Sequence, residues 1–511
     1  MISSSTIGIL ITMVVYLVGM LVIGFMLAKQ NETVSDFYLG GRKLGPFVTA
    51  MSAEASDMSS YLLMGLPGLA YLSGMADVGW TAIGLAAGTY LNWLFVAKPI
   101  RRYTEATGSI TIPDFFSDRY HDDRRILMLI SAIIIIIFFI PYTGSGFAAC
   151  GKLFASLFGA DYHVAMIISA AVIIVYTMTG GFLAASTTDF VQSIVMTCAL
   201  LIVVIFGVNK AGGMDAVIAN AKSLPGYLSM SQTYDPVTKT ASAYGIIRIV
   251  STCAWGLGYF GMPHILLRFM AIRDDEKLKL SRRVASVWVV ISMAIAVFIG
   301  IVGLAMSANG SIRPLEGSAS ETVIVEVASL LSRHGLLPVI FAGIILSGIL
   351  AATMSTADSQ LLAASSSVSQ NIIYEFFNVK MSQKKLMHIA RLSLLAIAVI
   401  GIVIAWNPDS SVFQIVSFAW AGFGASFGPI VLLALFWRRS NKYGALAGLL
   451  TGGVMVFVWK YLVRPLGGVW DIYELLPAFA AAILVNVAVS LLTPAPEKAV
   501  TDVFDRVKAG N

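Results

Sequence analysis

The chain has 511 residues, 58% of them hydrophobic and only 12% charged, with a mean hydropathy of +0.83. A charged share about half the globular average of roughly 25% excludes an ordinary water-soluble domain and implies a polytopic membrane protein solvated by the lipid bilayer. The formal net charge of +6 then reads as a signal of membrane topology, not as a nucleic-acid surface.

Apolar runs of about 18 to 25 residues, enough to cross about 30 Å of hydrocarbon, begin near Thr6, Leu44, Gly79, Arg125, Tyr162, Phe190, Ser242, Ser281, Gly335, Ile389, Ser411, Tyr443 and Tyr473. They predict an all-α protein of about thirteen transmembrane helices. The first run follows Met1-Ile-Ser-Ser-Ser5 without a basic stretch or a small-residue cleavage site, and so reads as a retained helix. Basic clusters at Lys29/Arg42/Lys43, Lys98/Arg101/Arg102 with Arg124/Arg125, Arg268 to Arg283, Lys380 to Arg391, and Arg438/Arg439/Lys442 fall in alternate loops. The positive-inside rule assigns those loops to the cytoplasm. The N-terminus is then expected outside the cell membrane and the tail, residues 494–511, inside.

Soluble chemistry finds little support. Cys150, Cys198 and Cys253 lie in apolar runs without a C-x-x-C pair, and His121, His163, His264, His334 and His388 show no metal-hydrolase spacing. No phosphate-binding loop or G-x-S-x-G nucleophile elbow is present, so the chain does not read as an enzyme. Uphill transport, if it occurs, is driven by an ion gradient.

Two spans cannot be uninterrupted helices. The second contains Ser52-Ala-Glu-Ala-Ser-Asp-Met-Ser-Ser-Tyr61, and a carboxylate at bilayer depth costs at least about 2.5–3.5 kcal/mol, so Glu54 and Asp57 must face protein, water or a cation. A break is predicted from Glu54 to Ser60. The seventh contains Ala254-Trp-Gly-Leu-Gly-Tyr-Phe-Gly-Met-Pro263, where glycines and a proline break the helix. Broken helices at matching positions mark inverted repeats with ion and substrate sites at the breaks. A five-plus-five arrangement follows: a first helix over about 6–28, repeat one over about 44–208, repeat two over about 242–437, and two further helices over about 443–493.

The motifs Leu39-Gly-Gly-Arg-Lys-Leu-Gly-Pro46, Ala55-Ser-Asp-Met-Ser59, Leu63-Met-Gly-Leu-Pro-Gly68, Tyr176-Thr-Met-Thr-Gly-Gly-Phe182, Thr188-Asp-Phe-Val-Gln192, Trp255-Gly-Leu-Gly-Tyr-Phe-Gly261, Met354-Ser-Thr-Ala-Asp-Ser-Gln-Leu361 and Ala419-Trp-Ala-Gly-Phe-Gly424 resemble the sodium:solute symporter family, and within it the sodium/proline symporters. The resemblance covers nearly the whole chain. It implies a LeuT-type fold, Na+ as the coupling ion, alternating access and L-proline as substrate, with another small amino acid, zwitterion or monocarboxylate as the alternative; no oligomer is required.

Na+ wants five or six oxygens, which carbonyls freed by a helix break and nearby hydroxyls can supply. Ala55 and Met58 offer such carbonyls, and Ala352 lies one turn before the hydroxyls of Ser355 and Thr356. The resemblance makes these five the Na+ ligands, with Asp57 and Ser59 in support; back-bonding of the two hydroxyls to the preceding turn is the plainer alternative. Asp57 can also cap the broken helix. Asp189 is read either as a cap at the start of the sixth span or, by resemblance, as part of the cytoplasmic ion path. Asp358, on another face of its helix, suits a gate or a partner arginine.

Carried over by position, Tyr142, Trp255, Tyr259 and Pro263 match substrate-pocket residues of proline symporters, joined by Ser56 and Tyr61 at the first break. Aromatic faces suit both the pyrrolidine ring and its ammonium, and half-helix N-termini suit the carboxylate. The chain departs from that pattern at Glu54, where glycine is usual, at Tyr61, where tryptophan is usual, and at Met262, where glutamine is common. Arg248, two turns before Trp255, is either a partner for Glu54 or a rim residue facing water.

Overall fold

The computed structural model describes residues 4–30 and 32–509. The first three residues before the first span and the last two of the expected tail lie outside the described residues. Nine helices among them are long and apolar enough to cross a membrane. One, Tyr162–Lys210, has 49 residues and bends at Gly181 (φ 64°, ψ −169°). Its straight length of about 74 Å is more than twice the hydrocarbon thickness, so it makes two passes.

Three further segments cross without being simple long helices. The second span runs from Pro46–Asp57 through a wide-turn segment, Tyr61–Gly65, into Leu66–Ser73. The third is continuous from Met75–Leu91 through Asn92–Val96 to Ala97–Thr107. The seventh joins Ile246–Cys253, a tight 3-10 stretch Ala254–Gly261, and Pro263–Ala271. About thirteen passes result. In chain order, the others are span 1 (Ser4–Ala28), span 4 (Ile126–Phe158), spans 5 and 6 (the two arms of Tyr162–Lys210), span 8 (Leu278–Ala308), span 9 (Leu336–Ser366, extended by Ser367–Phe376), span 10 (Gln383–Ile404), span 11 (Val412–Phe436), span 12 (Lys442–Val458) and span 13 (Leu475–Leu492).

The broken spans are placed by close backbone contacts. A parallel bridge between Leu44 and Ile272, with Leu44 N donating to Ala271 O at 3.2 Å and Arg273 N to Leu44 O at 3.0 Å, ties the start of span 2 to the end of span 7. Span 3 presses on the 3-10 stretch of span 7 through glycines. A Cβ on Gly256 would sit 2.1 Å from the Gly84 carbonyl oxygen, so no larger residue fits. Span 9 packs along spans 5 and 6 and against spans 1 and 4, which brings its centre, Ala352 to Gln360, beside the break of span 2.

The break itself is narrower than the sequence predicts. Helical geometry continues through Asp57, and only Met58 to Ser60 interrupt it, with Ser59 at a positive φ of 21°. The Ser59 hydroxyl accepts from Tyr61 N at 3.1 Å and restarts the chain beyond the break. The sixth span also begins earlier than expected, at the Gly181 bend. Asp189 therefore lies within a helix and caps nothing, which corrects one of its two readings.

Candidate functional site

The break of span 2 meets the middle of span 9. Ser355 Oγ donates to the Ala55 carbonyl at 2.8 Å and lies 3.3 Å from the Ala352 carbonyl, while Thr356 Oγ1 donates to Ala352 O at 3.1 Å. Ala55, Ala352 and Ser355 are fully buried and Thr356 nearly so. Four of the five candidate Na+ ligands thus converge. The fifth differs from expectation: the Met58 carbonyl is not freed by the break but accepts from Leu62 N at 3.0 Å, leaving one lone pair. Both hydroxyls back-bond to the preceding turn, which is the plainer of the two sequence readings, and Ser355 also bridges to the other helix.

Next to this junction, Ser59, Ser60, Tyr142, Thr143, Ser145, Thr353, Thr356 and Gln360 pack together closely, with no room between them for a water molecule. Ser60 Oγ, Tyr61 Oη and Gln360 Nε2 are buried without a hydrogen-bond partner among the described residues. Asp57 accepts a short hydrogen bond from the Tyr259 hydroxyl, which fixes the first break to the second. Ser56 Oγ is turned back onto Ala53 O at 3.0 Å.

Trp255 and Tyr61 form a ceiling above this centre. Their rings stack with centroids 5.6 Å apart, Phe413 closes the cluster at 5.8 Å from Tyr61, and Tyr473 stacks on Trp255 at 5.0 Å. Trp420 Nε1 holds the Trp255 carbonyl at 2.7 Å. Beyond the ceiling, a polar recess of about 550 Å³ opens between Asp77, Arg248, Trp255, Lys460, Arg464 and Glu474. Pro263 begins the second half of span 7, with Met262 as its extended, fully buried N-cap.

Two specificity candidates go elsewhere. Glu54 points at span 3, where its Oε1 accepts from Trp93 Nε1 at 2.8 Å and Thr89 Oγ1 at 3.0 Å. Arg248 lies on the rim, 3.4 Å from Asp77 and over the Tyr244 ring. A Glu54–Arg248 pair is therefore overturned, because Arg248 is engaged by Asp77 at the start of span 3 whereas Glu54 is held by Thr89 and Trp93 more than three turns farther along it.

A second buried constellation lies away from the recess. Arg268, counted by sequence with a cytoplasmic loop, is fully buried in span 7. Its guanidinium donates to Asp189 Oδ2 (3.2 Å), Ser52 Oγ (3.0 Å), Ser359 Oγ (2.5 Å) and the His264 carbonyl (2.9 Å). Ser52 also donates to Asp189 Oδ2 at 2.7 Å, and Ser359 reaches Asp358 Oδ1 at 3.0 Å. Spans 2, 6, 7 and 9 are locked together here. The available signal was Pro263, which starts a helix and leaves Arg268 less than two turns inside it. Lys152 and Glu321 form another buried pair at 2.9 Å that sequence reading missed.

The model of the sodium:solute symporter family matches residues 37–452. The chain is similar to the high-affinity proline transporter PutP of Bacillus subtilis, 43% identical over 95% of this chain and 98% of that protein. It also resembles the osmoregulated proline transporter OpuE of the same organism, at 41% over 97% and 96%, and the sodium/proline symporter of Escherichia coli, at 40% over 98% and 96%. Among solved structures, a Na+-coupled sialic acid symporter in a substrate-bound outward-open state aligns with a TM-score of 0.79 at 17% identity, covering 96% of this chain and 99% of that one. The nucleobase-cation-symport-1 transporter Mhp1 in a closed conformation aligns with a TM-score of 0.54 at 14% identity over 92% and 98%. These likenesses agree with the LeuT-type fold of broken helices described above. The chain belongs to the sodium:solute symporter family.

Proposed function

We propose that the protein is a multi-pass cell-membrane symporter that takes up L-proline with Na+ by alternating access. The observation that carries this reading is the Ser355 hydroxyl on the Ala55 carbonyl at 2.8 Å, with Thr356 and the Ala352 carbonyl alongside. Neutral oxygens converging on a helix break are the donor set that a hard monovalent cation needs. The names of the proline-transporting relatives supply the substrate. Repeat limits near 44–208 and 242–437, an outside N-terminus and a cytoplasmic tail belong to the same reading.

In this reading Ala55, Met58, Ala352, Ser355 and Thr356 hold Na+ with their carbonyl and hydroxyl oxygens, and Asp57 and Ser59 support the break. Proline lies beside Tyr142, Ser56 and the Tyr61–Trp255 ceiling, and its carboxylate faces the N-terminal end of the half-helix at Pro263. Tyr259 couples the two sites through Asp57. The aromatic ceiling closes the route from the outer recess, and the Arg268–Asp189 network closes the cytoplasmic route. One charge moving through about 100 mV supplies about 2.3 kcal/mol, nearly fiftyfold accumulation before any chemical gradient.

Glu54, the principal departure from the proline-symporter pattern, makes its hydrogen bonds to span 3, so it gives no support to a different substrate. The test is uptake of radiolabelled proline into proteoliposomes, competed by a panel of amino acids, betaines and monocarboxylates. Proline should be the strongest competitor and choline should fail to replace Na+. Na+-independent uptake, or stronger competition by another class, would overturn the proposal.

A further inference from the structure

The helix Lys498–Ala509 returns to the membrane and packs on the end of span 3 through Phe504 and Val507, 3% and 9% exposed. Between it, span 3 and span 11 lies a cavity of about 420 Å³. Its walls divide by polarity. Lys98 and Arg102, four residues apart on one helical face, and Lys508 from the returning helix supply cations. Leu94, Phe95 and Phe436 supply the rest, and these three side chains are 37%, 52% and 50% exposed. Leu94 and Phe95 precede Lys98 by about one turn, on the side of the membrane centre. The cavity is therefore basic toward water and apolar toward the bilayer.

The charges are not fully compensated. Lys98 Nζ contacts Glu276 at 2.5 Å and Arg102 Nε contacts Asp275 at 2.6 Å, both on the segment between spans 7 and 8. Lys508 lies three residues from Asp505, but Arg438 already engages both oxygens of that carboxylate at 2.9 Å. Among the described residues, these three cations thus face two carboxylates, Asp275 and Glu276, the latter also 3.6 Å from Arg102 Nη2. Such a site, with a basic mouth, an apolar wall open to hydrocarbon, and room for a headgroup of several water volumes of about 30 Å³ each, matches an acidic amphiphile.

We propose that this cavity is a binding site for an anionic phospholipid of the leaflet that borders the basic loops. Its phosphodiester is held by Arg102, whose planar fork suits phosphate oxygens, with Lys98 and Lys508 as point charges. One acyl chain runs down over Leu94, Phe95 and Phe436. The lipid joins the returning helix to spans 3 and 11. Because Arg101, next to Arg102, donates to the Ile272 carbonyl at 2.7 Å, the lipid also sits beside the end of broken span 7.

The test is native mass spectrometry of the full-length protein after exchange into detergent containing defined amounts of phosphatidylglycerol, phosphatidylcholine, short-chain dihexanoyl phosphatidylglycerol or inorganic phosphate. The expected result is at least tenfold greater retention of long-chain phosphatidylglycerol than of phosphatidylcholine. Lys508→Gln, an exposed position, should lower that preference at least threefold, and Lys98→Gln/Arg102→Gln/Lys508→Gln should abolish it. Dihexanoyl phosphatidylglycerol should bind more weakly than the long-chain lipid. Equal retention of the two long-chain headgroups, or a preference unchanged in both variants, would overturn the site. Competition by inorganic phosphate as effective as by lipid would overturn its assignment to a membrane ligand. If the triple variant does not fold, Lys508→Gln alone decides the matter.

Discussion

Arg268→Met should be among the most damaging single substitutions in the transport core. The guanidinium is fully buried and is the cation bonded to Asp189, itself fully buried. Removing one partner of a buried pair leaves an uncompensated charge and costs about 3–5 kcal/mol. Asp189→Asn has a similar effect from the other side, softened because Ser52, Ser359 and the His264 carbonyl still accept from Arg268. In Arg268→Met/Asp189→Asn neither charge remains, and the losses shrink to neutral hydrogen bonds of about 1 kcal/mol each. The double variant should therefore be about 2 kcal/mol more stable than the sum of the single losses, within the usual range of coupling for residues in contact. Unfolding of the four proteins by SDS titration in mixed micelles measures the cycle. A double variant as unstable as the summed singles would refute the reasoning, because the pair would then carry no coupling.

Lys152→Met removes the partner of Glu321, but that carboxylate still accepts from Ser411 Oγ at 2.9 Å and Phe413 N at 3.2 Å at the start of span 11. The loss in the same titration should fall below that of Arg268→Met, at about 1–3 kcal/mol, since a helix N-terminus favours the remaining anion. Glu54→Gly strands the Trp93 and Thr89 donors, at about 1–3 kcal/mol each, and should lower stability while leaving the order of competitors for proline uptake unchanged; a new preferred substrate would make Glu54 a pocket residue. Gly256→Ala places a Cβ 2.1 Å from the Gly84 carbonyl oxygen, so it should abolish uptake and reduce the folded yield seen by size-exclusion chromatography. Wild-type yield and uptake would mean that spans 3 and 7 do not meet there.

Patterns that depend on neighbours in the chain could be read from sequence, and those that depend on which helix lies opposite could not. The glycines and proline from Gly256 to Pro263 announce a helix break because each acts on its own backbone. The first break is narrower than Glu54 to Ser60, since hydroxyls and carboxylates mark a buried polar segment without fixing which peptide turns; that is set at Ser59, where φ is 21°. The apolar run near Phe190 makes Asp189 read as a cap, although the bend that begins the sixth span occurs at Gly181. Basic neighbours place Arg268 in a loop, yet three of its four partners come from spans 2, 6 and 9, far away in the chain. The direction of Glu54 is of the same kind: spacing places it near Asp57, but only the packing of span 3 shows that Trp93 and Thr89 receive it. The Ala55–Ser355 contact joins residues 300 apart, and local periodicity alone offered only hydroxyls on one helical face.

The most direct test of the account is equilibrium binding of 22Na+ to the purified protein, compared with Thr356→Val and Ser355→Ala. Each substitution removes one neutral oxygen from the proposed coordination, and Thr356→Val preserves the shape of the side chain. The account predicts saturable 22Na+ binding with a dissociation constant raised about tenfold or more in either variant, about 1.4 kcal/mol per lost oxygen, while the proteins stay folded. Unchanged 22Na+ affinity in both variants would contradict it.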